Sequence, residues 1–207
     1  MLDEVLKPEQ IAELSGLGDF KHTGTRELVA ADYVYEIKRL AHPKLHSPIF
    51  SLMAEYIDGL REYGDVLEQA YKQQQGDSDQ PIYLDLTQFD FKGVELVDRY
   101  TYRLRIKGKY PQILYWLAMP FFAPIPPEAD RFFSQPGMKE RNLSLDWYPV
   151  GTGAYMLTEN NPNRRMLLVR NPNFHEDRFP SSGEAGDEEK GLLVDAGKRL
   201  PFIDKVI

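Results

Sequence analysis

Residues 151–171 read GTGAYMLTENNPNRRMLLVRN, and they predict a β-hairpin entered through a glycine-rich bend. Gly151 and Gly153 flank Thr152. Glycine serves where φ must turn positive or two segments approach closely, so a sharp change of direction is expected there. Tyr155 and Leu157 then alternate with Met156 and Thr158, a polar run occupies 159–164, and residues 166–169 supply a second apolar run. Two short strands joined by a turn fit this pattern. Asn160, Asn161, Pro162 and Asn163 suit the turn, because asparagine bonds its own backbone while proline pre-sets φ.

Upstream, residues 94–107 give the clearest strand signal. Tyr100, Tyr102, Leu104 and Ile106 alternate with Thr101, Arg103, Arg105 and Lys107, so one face is expected to be buried and the other wet, with Asp98 and Arg99 at a turn. Helices are predicted over 8–14, 30–41 and 60–75, and another from Ser47, an expected N-cap, with Pro48 at the first helical position. In the 30–41 helix Val34, Ile37, Leu40 and Ala41 share one face, and Asp32 suits the positive helix start. Val29 holds the position that a capping side chain would favour, at a cost of roughly 1 kcal/mol unless another group caps the helix. Ile49, Leu52, Met53 and Tyr56 share a face of the next helix. A short helix over 111–118 breaks at Pro120, and Pro124, Pro126 and Pro127 impose extended backbone, a natural lobe boundary. One or two short helices are expected over 131–150, and a solvated polar loop over 175–202.

The totals bound the class. With 207 residues and 42% hydrophobic content the chain can bury a core. A net charge of -7 without a basic stripe leaves no nucleic-acid footprint. There is no cysteine, which removes disulfides and thiolate catalysis. The first fourteen residues carry early acids and no long apolar run, unlike an export signal or a membrane span. The last eight residues, LPFIDKVI, look like a strand cut short. Both ends lead to the expectation of a piece excised from a longer protein.

The segment GTGAY, the polar tip and LLVRNPNF together resemble the signature of the bacterial extracellular solute-binding proteins of family 5, the oligopeptide and dipeptide receptors of ABC importers. That signature commonly reads GTGPY, a charged tip and ERNPDYW; Ala154 replaces the proline and Phe174 stands near the aromatic. Ala30, Asp32, Val34, Tyr35, Arg39, Leu40 and Pro43 match the family pattern TAxDVVYSxxRLxDP, with Val29 in place of threonine. GVELVDRYTYRLRIKGKYPQ resembles the family's hairpin leading into a helix. The pieces occur in the family's order over roughly residues 26–173.

The resemblance implies a mixed α/β protein (α+β) of the periplasmic-binding, class II type. Residues 1–122 would be the small accessory lobe, and 123–207 an incomplete part of the ligand-binding lobe that holds both termini of the whole protein. It implies a periplasmic or extracellular receptor that hands peptide, or a similar small solute, to a membrane permease, without catalysis or cofactor, the fragment itself being monomeric. Ile49 matches a position that faces the ligand in the oligopeptide receptors, although an aliphatic stripe at helical spacing more often packs in a core. Met119, Phe121 and Phe122 are candidate cleft liners or ordinary core. Gly151, Thr152, Gly153 and Tyr155 are the hinge motif.

Other chemistries find no anchor. His42 and His46 have helical metal-ligand spacing, but Pro43 lies between them, and His22 and His175 fall in distant loops. The acidic run near residue 187 lacks the alternating register of a calcium loop. GTGAY is too short for a phosphate loop, and Thr152, flanked by glycines, leads into a strand where a nucleophile elbow needs a serine and a helix. Two alternatives stay open: a peptide-sensing interaction domain of the same fold, and a hydrolase or metal-binding protein.

Overall fold

The computed structural model describes residues 5–14, 19, 24–77 and 82–207. Gly16, Gly18, His22 and the far end of the loop after the long helix, 78–81, lie outside the described residues. The chain divides into two compact units, Met1–Leu145 and Asp146–Ile207. The proline-rich stretch 124–127 lies inside the first.

The first unit is built around α2, Ala30–Arg39, preceded by the short helix α1, Pro8–Glu13. Val34, Ile37, Leu40 and Ala41 are buried, as their spacing predicts. Val29 offers no side-chain cap, and three other groups complete the helix start. The Asp32 carboxylate accepts from the Val29 N–H at 3.0 Å. The Arg99 carbonyl accepts from the Ala30 N–H at 3.0 Å. Arg26 donates to Asp32 at 2.9 Å and also pairs with Glu128. The capping deficit expected from valine is thereby offset, and Asp32 does this at 1% exposure.

Helices α3, Phe50–Tyr56, and α4, Leu60–Gln75, follow as a pair. Ser47 is not the cap: α3 begins at Phe50 after a tight turn in which the Ser47 carbonyl accepts from the Phe50 N–H at 3.2 Å. Met53 is fully buried, while Leu52, expected on the same face, stays exposed. Strands β1, Val94–Asp98, and β2, Thr101–Leu104, pair antiparallel with Leu96 opposite Tyr102 and an irregularity before Asp98. Tyr102, Leu104 and Ile106 are half-buried and the intervening residues exposed, which is the predicted alternation. Tyr100 departs from it. At the turn its ring points to solvent, and its hydroxyl donates to Glu27 at 2.9 Å.

Gly93, just ahead of β1, is required by close approach. A Cβ there would sit 2.1 Å from the Asp58 carbonyl oxygen and 2.6 Å from the Phe91 ring. This is where three segments meet: the Gly93 carbonyl accepts from Arg105 at 2.8 Å, and the Arg105 carbonyl accepts from Asp58 at 3.0 Å. Helix α5, Ile113–Leu117, a single 3-10 turn at Pro120–Phe122 and helix α6, Pro127–Phe133, finish most of the unit. Pro127, expected in extended backbone, instead opens α6, where its missing N–H costs nothing. Helix α6 is fastened to α2 by Asp130, which accepts from the Tyr35 hydroxyl at 2.7 Å and from Arg39 at 3.2 Å.

The second unit is a three-stranded antiparallel sheet in the order β3-β4-β5, with β3 at Tyr155–Asn161, β4 at Arg165–Arg170 and β5 at Lys205–Val206. The predicted hairpin is present, and its strands run through most of the polar stretch, with Asn161 opposite Arg165 across the turn. Thr158 is the extra residue of a bulge between Leu157 and Glu159, and its hydroxyl donates to the Leu167 carbonyl at 3.2 Å. Every fully buried side chain among the described residues lies in the first unit, the last being Leu143. Leu157, Leu167, Leu168 and Val169 are only half-buried. The long loop 175–202 contains turns and one bridge, Arg178 with Arg199.

Two substitutions measure these constraints. Asp32→Ala removes the helix-start acceptor and one of the two carboxylates that pair with Arg26, and urea unfolding is expected to show a loss of about 2–3 kcal/mol, with Asp32→Asn losing less. Gly93→Ala is expected to cost at least about 2 kcal/mol in the same measurement, because the new methyl group meets backbone. An unchanged midpoint in either variant contradicts the corresponding contact.

Candidate functional site

The surface that the sequence singles out lies at residues 110–122. Tyr110 stacks on Tyr56 with ring centroids 3.6 Å apart and planes 6° from parallel. Its hydroxyl accepts from the Trp116 indole N–H at 2.8 Å. On α5, Ile113, Trp116 and Leu117 turn towards the core, which leaves Leu114 at 70% and Tyr115 at 77% exposure. Met119 follows at 41%. An apolar ledge therefore stands on a rigid aromatic base.

Of the four expected liners, Met119 alone is exposed. Ile49 and Phe122 are buried in one hydrophobic cluster with Tyr35 and Ile37, and Phe121 packs against that cluster. Leu114 and Tyr115 went unmarked in the sequence. Their signal was there: with 113, 116 and 117 on the core stripe, 114 and 115 must point away.

A groove of about 900 Å³ is walled by Ala31, Val34 and Lys38 of α2 and by Val94, Glu95 and Leu96 of β1. Lys38 is buried at its end, with Nζ 2.8 Å from the Asp90 carboxylate and 3.4 Å from the Leu86 carbonyl. Tyr63 stacks on Phe91, a further residue of this groove, with centroids 4.5 Å apart, and its hydroxyl is buried without a partner. Burial, then the negative Asp90, pushes that hydroxyl's pKa upward.

Further shifted groups lie on α2 or close to it in sequence. Burial pushes the Glu36 carboxyl up to about 7, against the attraction of Arg39. Burial, seconded by Asp130, raises the Tyr35 hydroxyl far above its ordinary value. Burial depresses His42, with Asp130 opposing. Hydrogen bonds to Asp32 and then Glu128 hold Arg26 firmly protonated.

In the second unit, Gly151 and Gly153 do not have positive φ. An added Cβ would meet nothing within 4 Å at Gly151, and only the Tyr155 carbonyl oxygen at 3.8 Å at Gly153. The expected need for glycine at this bend is absent: the strand entry is held by Asn171, whose N–H donates to the Ala154 carbonyl and whose side-chain amide donates to the Gly153 carbonyl, both at 2.9 Å. The Tyr155 hydroxyl donates to the Ile203 carbonyl at 3.0 Å, and Thr152 is exposed.

His42 accepts from the Lys44 N–H at 3.2 Å and stands edge-on to Tyr71, while His46 has a left-handed backbone with φ 48°. No group of three or more potential metal ligands occurs among the described residues, and no helix among them is long and apolar enough to cross a membrane. What the site offers is apolar contact on a rigid base and a groove with one buried ammonium.

Neither a curated protein nor a solved structure matches the chain. The model of the bacterial extracellular solute-binding proteins, family 5 Middle, matches residues 22–207. That span takes in the α2 pattern, the β1–β2 hairpin and the 151–171 hairpin in one collinear order, and the chain belongs to the family 5 bacterial extracellular solute-binding proteins.

Proposed function

We propose that this chain is part of the substrate-binding component of an ABC-type importer that captures oligopeptides or dipeptides and delivers them to a membrane permease. The observation that carries the proposal is the family match over residues 22–207. Two features support it. The ledge of Leu114, Tyr115 and Met119 is an exposed apolar surface held rigid from below. The sheet of the second unit has no fully buried residue, as expected of strands that complete their packing in a larger lobe.

In this assignment residues 1–122 form the accessory lobe, and residues 123–207 are an incomplete part of the ligand-binding lobe that holds both termini of the whole protein. Ile49, Phe121 and Phe122 shape the wall from beneath, and Met119 touches the ligand. Gly151, Thr152, Gly153 and Tyr155 are the hinge motif. A variable peptide is best held through its backbone and through roomy, water-filled pockets, because dedicated side-chain contacts narrow the substrate range. The protein acts in the periplasm or at the cell exterior and binds without turnover. Closure of two lobes buries the ligand, and the closed form is what a permease recognises.

Two measurements test this. Calorimetry of the 207-residue chain by itself against a peptide library is expected to show no affinity tighter than about 1 μM, since one wall cannot desolvate a peptide; submicromolar binding would overturn the one-wall assignment. In the receptor that contains this chain, Met119→Asp is expected to weaken peptide binding about tenfold while stability stays within about 0.5 kcal/mol. Phe122→Ala, by contrast, should cost about 3–4 kcal/mol of stability. Unchanged peptide affinity in the Met119 variant removes the ledge from the ligand site.

A further inference from the structure

Helices α2 and α6 meet across a buried cluster that is one charge out of balance. Arg39 donates to Glu36 at 3.0 Å and to Asp130 at 3.2 Å, and the three side chains are 12% to 15% exposed. Arg39 Nε is buried with no hydrogen-bond partner. One guanidinium thus serves two carboxylates where water scarcely reaches, and with both ionised the cluster carries an uncompensated negative charge. Such a site is stabilised by binding a proton.

The hydrogen bonds indicate where the proton goes. Asp130 accepts from two donors, Arg39 and the Tyr35 hydroxyl, whereas Glu36 accepts from Arg39 alone. The less well solvated carboxylate, Glu36, takes the proton, in line with its raised pKa. The charges acting on Glu36 are those of Arg39 and Asp130. Of the other groups nearby, Tyr83 bonds Tyr35, Arg131 of α6 acts on Tyr83 and Asp85, and His42 feels Asp130 and Arg39. Glu95 of β1 pairs with Arg103 of β2 and with Arg105, and Asp98 accepts from the Tyr100 N–H.

We propose that Glu36, Arg39 and Asp130 form a proton-binding latch that fastens α6 to α2 more firmly in mildly acidic than in alkaline medium. The sign follows from the folded carboxyl standing above its unfolded value. The stability that it contributes is fully present below the ordinary carboxylate range, falls as pH rises towards about 7, and is flat beyond. His42 works in the opposite sense in an overlapping window, because burial favours its neutral form and acidification must charge it. The test therefore compares two chains that share His42.

Thermal unfolding of the full chain and of Glu36→Gln, from about pH 5 to about pH 8.5, separates the states, because glutamine mimics the protonated acid. The melting temperatures are expected to agree within about 1 °C at the acidic end, with the variant higher by roughly 5 °C at the alkaline end. Amide exchange of residues 129–134, corrected for its intrinsic pH dependence, should accelerate with pH in the parent and not in the variant. A variant destabilised equally at every pH would mean a permanent ion pair and would overturn the latch, as would protection of α6 that ignores pH. Should the variant fail to fold, carbon NMR of the parent's Glu36 carboxyl decides: a midpoint at or above about 6 supports the latch, and one below overturns it.

Discussion

The first unit depends on how the start of α2 is completed. A helix exposes N–H groups at its first turn, and burying them unpaired is costly. Here the paired groups come from four places in the sequence: the Asp32 carboxylate within the helix, the Arg99 carbonyl at the hairpin turn, Arg26 ahead of the helix, and Glu128 on α6 through Arg26. One helix end therefore fixes the hairpin turn and α6 at once. The neighbouring cluster of Glu27, Arg99 and Tyr100 is exposed and pairs charges on the surface, where salt and water weaken them. The carboxylate at 1% exposure is the stronger constraint.

How legible all this was in the sequence depends on the range of the interaction. Helix α4 and the apolar face of α2 follow from local periodicity, which a single sequence displays directly. The capping of α2 was not legible, because the acceptor for the Ala30 N–H is a carbonyl some seventy residues away, and carbonyls leave no mark in a sequence. Tyr100 defeated the alternation pattern because it sits on the turn, where side-chain direction is no longer set by the pleat. The glycines at 151 and 153 suggested strain, yet their backbone is ordinary and their surroundings are open. Gly93 drew no notice in the sequence, although a Cβ there would meet the Asp58 carbonyl oxygen at 2.1 Å.

The candidate site was half legible for the same reason. Met119, Phe121 and Phe122 stand together near a proline-rich link, but composition does not say which of them are covered. The structure sorts them by burial: Phe122 and Ile49 in the core, Phe121 against it, and Met119 outside with Leu114 and Tyr115. Periodicity within α5 carried the missing information, since three positions on one stripe determine the two that face away.

A binding wall and an active site make different demands on a structure. Catalysis needs a proton donor and acceptor placed against one another and against a substrate. In the first unit Glu36, Arg39 and Asp130 are tied into the contact between α2 and α6, and Tyr35 is bonded to Asp130. Burial raises the Tyr35 hydroxyl and the Glu36 carboxyl, which is what assembly of the two helices requires of them. What the ledge of Leu114, Tyr115 and Met119 has is stiffness. Tyr56 stacked on Tyr110, and Tyr110 bonded to Trp116, keep its base from rearranging. A surface that is already ordered loses little entropy when something settles on it, and that saving raises affinity without specifying any one side chain. Rigidity beneath an exposed apolar strip suits a surface on which a solute settles.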